Sequence, residues 1–99
     1  SMTTDRRING NNFQACITTA ENALKDYPYT SLREDISILL LRAKYKLGTE
    51  SVDEKKEERM RDTIDEYYAF KNDFPESKYI KEVEAIYKDA SKYVKELIE

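Results

Sequence analysis

The sequence predicts an all-α chain: about four antiparallel helices, arranged as helical hairpins in a fragment of an α-solenoid. Three observations predict it. The 99 residues include only two Gly and two Pro, whereas an all-β domain needs a turn signal roughly every 8–12 residues. Charged residues supply 37% of the chain and hydrophobic ones 39%, and the apolar positions recur at steps of three and four, the period of a helix with one buried face. The apolar stripes also recur at a fixed offset, which is the mark of stacked helical units.

The first helix is expected near residues 11–27, where Phe13, Ile17, Ala20, Leu24 and Tyr27 share one face and Pro28 forbids continuation. Ser31-Leu32-Arg33-Glu34 has the form of a capping box, in which the Ser hydroxyl accepts an orphan amide and the Glu returns a bond. It opens a second helix near 32–47, with Leu32, Ile36, Leu39, Leu40, Ala43 and Leu47 as its stripe. Gly48 is placed to end that helix in a left-handed conformation. Ile38, Leu41 and Tyr45 fall off the stripe, so this helix is apolar on more than one side and must lie between two neighbours. These three are the candidate partner-binding residues. Either they pack on another helix of the same chain, the favoured reading, or they form a surface that receives a partner.

Ser51-Val52-Asp53-Glu54 is a second capping-box sequence, opening a third helix near 52–73. Its stripe is Met60, Ile64, Tyr67, Phe70 and Phe74, stopped by Pro75. Ser77 is the expected cap of a fourth helix near 77–97, striped by Tyr79, Val83, Ile86, Tyr87, Ala90, Tyr93, Val94 and Leu97. Phe13, Ile17, Leu24, Ile36, Leu40, Ile64, Tyr67, Phe74, Val83 and Ile86 are the expected core.

The halves align at an offset of 47: Phe13 on Met60, Ile17 on Ile64, Tyr27-Pro28 on Phe74-Pro75, Ile36 on Val83, Leu39 on Ile86 and Ala43 on Ala90. Cys16, Ala20 and Ala23 fit the small-residue positions of a tetratricopeptide second helix, and the run AKYKLG, Ala43 to Gly48, resembles the end of the next repeat's first helix. The expected organisation is one helical-repeat domain over 8–99, with repeats at about 8–50 and 51–99. Ser1-Met2 reads as a cloning remnant, which leaves 1–7 as a remnant or disordered start.

Composition removes most catalytic chemistry. With no His, neither His-based activation of a nucleophile nor a His-containing zinc site can be built. One Cys allows no intrachain disulfide and no multi-thiolate metal site. No run of about 18 apolar residues exists to cross a membrane. A net charge of −3 supplies no electrostatic drive toward nucleic acid. Glu57, Glu58, Asp62, Asp65 and Glu66 alternate with Lys56, Arg59 and Arg61. A solvated, ion-paired face therefore outweighs a cation site or an acid/base pair. Tyr67, Tyr68, Phe70 and Phe74 lie at helical spacing beside acids, which favours core packing over base stacking. Cys16, beside core positions, reads as a buried small hydrophobe. No catalytic, cofactor-binding or metal-ligating residue is predicted, and no cofactor.

The runs NALKDYPYTSLREDISILLLRAKYKLG and SVDEKKEERMRDTIDEYYAFKNDFPESKYIKEVEAIYKDASKY resemble the C-terminal repeats of BamD-type outer-membrane assembly lipoproteins, especially those of Bacteroidetes. The resemblance runs from about Phe13 to Tyr93, and KKEER leading into DEYYAFKNDFPESKY is its most specific part. It implies a non-enzymatic protein-interaction scaffold on the periplasmic side of the outer membrane, held by an N-terminal lipid and docked on BamA-type periplasmic domains. The lipobox is not in this sequence, because Cys16 follows Phe13-Gln14-Ala15. The alternative is a general tetratricopeptide-type adaptor of the cell envelope, with a carboxylate hydrolase as a remote third reading. The aromatic-Pro end of the first helix matches that of the third, so its own hairpin partner is expected upstream. Ile8, Phe13, Cys16 and Ile17 would then be exposed, and a weak, concentration-dependent homodimer through the first helix is the expected result.

Overall fold

Two aromatic-Pro connections fix the course of the chain. In the computed structural model, which describes residues 12–94, they join four helices: α1 (Phe13–Asp26), α2 (Arg33–Thr49), α3 (Asp53–Asp73) and α4 (Ile80–Ser91). No strand occurs among the described residues. The fold is all-α, as the composition and periodicity predict.

The connections after α1 and α3 are built alike, bond for bond. Tyr27 N–H donates to Ala23 O at 2.9 Å, and Phe74 N–H donates to Phe70 O at 2.8 Å. Thr30 N–H reaches Tyr27 O at 3.1 Å, as Ser77 N–H reaches Phe74 O at 3.1 Å. Arg33 and Ile80, each the first residue of its helix, donate to Thr30 O at 3.2 Å and Ser77 O at 3.1 Å. Tyr27 has φ −132° and ψ 63°, and Phe74 has φ −134° and ψ 64°. The following Pro supplies no N–H, so each helix stops where its ladder would next need one.

The helices start later than the capping boxes predict. Neither Arg33 nor Asp53 is preceded by a side-chain N-cap bond. Thr30 Oγ1, not Ser31, accepts from Leu32 N–H at 3.2 Å, and Glu34 instead accepts the hydroxyl of Ser77. Ser51 Oγ donates to Leu47 O at 2.6 Å and accepts from Arg59 at 2.7 Å, closing the α2–α3 connection rather than capping α3. Ser77 Oγ accepts from Tyr79 N–H at 3.0 Å, so it organises the turn one residue pair ahead of α4. The fourth helix ends at Ser91; Leu97 and Ile8 lie outside the described residues.

Gly48 does not terminate α2 in the left-handed region. It is a buried residue inside the helix, which runs to Thr49. Its role is close approach: Met60 of α3, wholly buried, fills the space a side chain would take.

Neighbouring helices run antiparallel, as the short connections require. Arg33 at the start of α2 pairs with Asp73 at the end of α3 at 2.7 Å, and Lys56 near the start of α3 donates to Thr49 O at the end of α2 at 3.4 Å. Helix α2 is shared by both sides. Leu40 and Ala43 pack on Ile17 and Ala20 of α1, with Leu24, Ile36 and Leu47 around them. Ile38 and Leu41 pack on Tyr67 and Phe70 of α3 and on Val83 and Ile86 of α4. Met60, Ile64, Ala90 and Val94 close the far end of the α3–α4 pair. Of the predicted core, Ile17, Leu40, Ile64, Tyr67, Val83 and Ile86 are buried; Phe13, Leu24, Ile36 and Phe74 are half-buried. Burying a side chain of this size contributes about 1.5–3 kcal/mol over leaving it exposed, so the three clusters carry most of the drive to fold.

Candidate functional site

Ile38 and Leu41 lie inside the molecule, 1% and 0% exposed. They offer no surface to a partner, because α3 and α4 already occupy that face of α2. Of the two readings of this group, the structure has the intramolecular one. Tyr45 is half-buried over the same cluster, and its hydroxyl donates to the Asp89 carboxylate on α4. That bond, with burial, pushes the Tyr45 phenol up to about 12.

Among the described residues, Leu39 of α2 stays exposed, as do Tyr27, Tyr29, Leu32, Val52, Tyr68 and Tyr93 outside it. Ile36, half-buried against the α1–α2 cluster, and Leu39 line one side of an open groove of about 420 Å³ among the described residues, with Cys16, Thr19, Ala20 and Ala23 of α1 on the other. Leu39 is 50% exposed, and Cys16 is an exposed free thiol rather than a buried small hydrophobe. The helical spacing explains the split. Positions 36 and 39 lie one step round the helix from 40 and 43, so a single broad stripe divides between the α1 contact and an open face. The sequence holds only a partial signal for this: the helix is apolar on more than one side, beside an α1 rich in Ala.

Phe13 is half-buried and Ile17 buried beneath α2, so of the residues expected to be exposed on helix one only Cys16 is fully so among those described.

The opposite face of the α1–α2–α3 layer is charged. Lys44, with a side chain only 11% exposed, sits 3.0 Å from Glu66 Oε1, 3.7 Å from Glu21 and 3.8 Å from Asp62. Burial draws its ammonium down and the three carboxylates more than reverse this, so its pKa stands above the ordinary lysine value. Arg61 donates to Glu57 one turn earlier at 3.1 Å. Among the described residues no group of three or more acidic or thiol side chains is placed to hold a metal ion.

Two further ion pairs join the layers. Arg42 on α2 grips Glu82 on α4 with two bonds of 2.6 and 2.7 Å, a bidentate fork that holds the Glu82 carboxyl below its ordinary pKa. Lys71 reaches Glu84 at 2.8 Å and, with the Tyr67 hydroxyl, lowers that carboxyl too. Tyr67 and Tyr87 stack at 4.5 Å between ring centroids. Phe70 is buried and Phe74 half-buried, whereas Tyr68 is exposed at the edge. These aromatics form a packing layer between α3 and α4.

Among the described residues no helix is long and apolar enough to cross a membrane. The chain matches no protein-family model, no curated protein and no solved structure significantly.

Proposed function

We propose that this chain is a non-catalytic protein-interaction module, two hairpin repeats of a tetratricopeptide-like solenoid within a BamD-type assembly scaffold. The observation that supports a docking role is the groove between α1 and α2, where Leu39 and Cys16 are exposed beside the half-buried Ile36. The matched hydrogen bonds of the two aromatic-Pro connections support the repeat reading, since equal backbone geometry at equal offset is what stacked units need. The BamD-type assignment rests on the resemblance of residues 22–48 and 51–93. Under it the scaffold works on the periplasmic side of the outer membrane, lipid-anchored in the full-length protein. It binds BamA-type periplasmic domains through a rigid, shape-complementary surface rimmed by charge.

Immobilised BamA-type periplasmic domains should capture the purified chain in physiological salt. Clean absence of capture would remove the assembly-scaffold reading and leave a general envelope adaptor of the same fold.

A further inference from the structure

The two aromatic-Pro connections share a backbone but not a setting. In the second, Phe74 and Tyr79 pack against the cluster that joins α2, α3 and α4, and the Arg33 guanidinium lies 5.2 Å from the centre of the Phe74 ring. The matching positions of the first, Tyr27 and Leu32, are 68% and 55% exposed, and Tyr29 between them is 96% exposed. One connection is pinned to the core by its own side chains. The other, among the described residues, is not.

The helices on either side are held as unequally. Arg33 on Asp73, Arg42 on Glu82 and the Tyr45 hydroxyl on Asp89 tie α2 to α3 and α4. Among the described residues, α1 side chains have one such tie to another helix, Glu21 on Lys44 at 3.7 Å. Glu21 is exposed, so that pair contributes little. The apolar contacts divide in the same way. Helix α1 brings Ile17, Ala20 and the half-buried Leu24 to α2. The other face of α2 meets two aromatic rings, Tyr67 and Phe70, besides Val83 and Ile86. An alanine permits close approach but withdraws little apolar area from water, and the area sets the gain.

We propose that α1 is a hinged flap, which leaves α2 as a unit about the connection at residues 27–32 while α2, α3 and α4 stay packed. This motion does not depend on which partner the module binds. Opening bares Leu40 and Ala43, both buried when the flap is shut. It breaks none of the ties between α2 and the second hairpin, so it requires less free energy than unfolding of the whole chain and occurs more often.

Amide hydrogen exchange of the unaltered chain tests it. The α1 amides of Ala20, Glu21 and Leu24 should exchange through a common opening at least about tenfold more frequent than that of Leu41, Ile64 and Phe70. Ile38→Val, in the α2–α3–α4 cluster, separates the two openings. It weakens the shut and open forms of the flap alike, so exchange at Leu41, Ile64 and Phe70 should rise several-fold while that in α1 stays within about twofold. Ile17→Val weakens only the shut form and should raise both groups by the same factor. A second readout is the thiol of Ala20→Cys in a Cys16→Ser background, a position packed on α2 and reached through opening. It should react with the opening frequency that the α1 amides report, and faster than the thiol of Ala90→Cys, buried at the α3–α4 contact. The proposal is overturned by one shared opening for all four helices, with Ile38→Val accelerating α1 as much as α3, or by equal reactivity of the two thiols. Protection that climbs steadily from Phe13 to Asp26, which is fraying from the end, would overturn it as well. So would α1 amides without any protection, the mark of a helix never docked.

Discussion

A Cβ placed on Gly48 would sit 3.0 Å from Sδ and 3.1 Å from Cε of Met60. Alanine in a helix interior is worth about 1 kcal/mol over glycine. Here that gain is opposed by overpacking, which in a filled core costs roughly 1–3 kcal/mol, and Met60 is fully buried with no solvent side to retreat to. Gly48→Ala should therefore be destabilising by about 1 kcal/mol net in urea titration. Gly48→Ala combined with Met60→Ala should cost less than the sum of the two. A stabilised single variant would show that the thioether moves aside freely.

Adjacent leucines on α2 should behave in opposite ways. Leu41 is 0% exposed among α3 and α4 side chains, and Leu41→Ala should cost about 2–5 kcal/mol through lost transfer energy plus cavity. Leu40→Ala, on the α1 side, belongs in the same range. Leu39→Ala touches neither cluster and should stay within about 0.5 kcal/mol. Equal losses at 39 and 41 would mean that the groove is closed.

The same contrast shows what the sequence could tell and what it could not. Helix number, order and the two Pro stops follow from period and from the missing Pro amide, both local properties. The faces of α2 do not. Ile36, Leu39, Leu40 and Ala43 form one stripe on paper, and only the directions of the neighbours divide it between α1 and an open groove. Gly48 failed for a related reason. A glycine near a helix end suits a left-handed cap, and nothing within the helix reveals that Met60 of α3 needs its space. Cys16 follows the habit of its residue type on paper, but its exposure is set by what packs on that wall of α1, which spacing within α1 does not reveal. The capping boxes do not form because their side chains have tertiary partners: Glu34 accepts from the Ser77 hydroxyl, and Ser51 bonds Leu47 O and Arg59.

The Tyr45–Asp89 bond predicts a pH dependence of known sign. A phenol raised from its usual 10 to about 12 in the folded chain favours the protonated form there. Its stabilisation is complete below the unfolded value near 10. It fades as pH rises toward 12, where the folded phenol itself ionises. Tyr45→Phe removes the bond and should cost on the order of 1 kcal/mol at neutral pH. The gap in stability between the parent and Tyr45→Phe should then narrow as pH is raised above about 10. Other tyrosines titrate in both proteins and cancel in the difference. A gap that is constant with pH would mean the hydroxyl does not bond Asp89 in solution.

The last prediction concerns the thiol at the groove. Cys16 is exposed on α1 in the native fold, so no unfolding step should precede its modification. A disulfide reagent should titrate one thiol per chain without denaturant. The rate should be indifferent to stabilising or destabilising core substitutions such as Leu41→Ala. A thiol buried in the core would behave otherwise. Its reaction would wait on opening and would accelerate with every kilocalorie removed from stability. Cys16 also lies on the same groove wall as Ala20 and Ala23. A native thiol already protected in the chain alone would mean that this wall is covered without any partner.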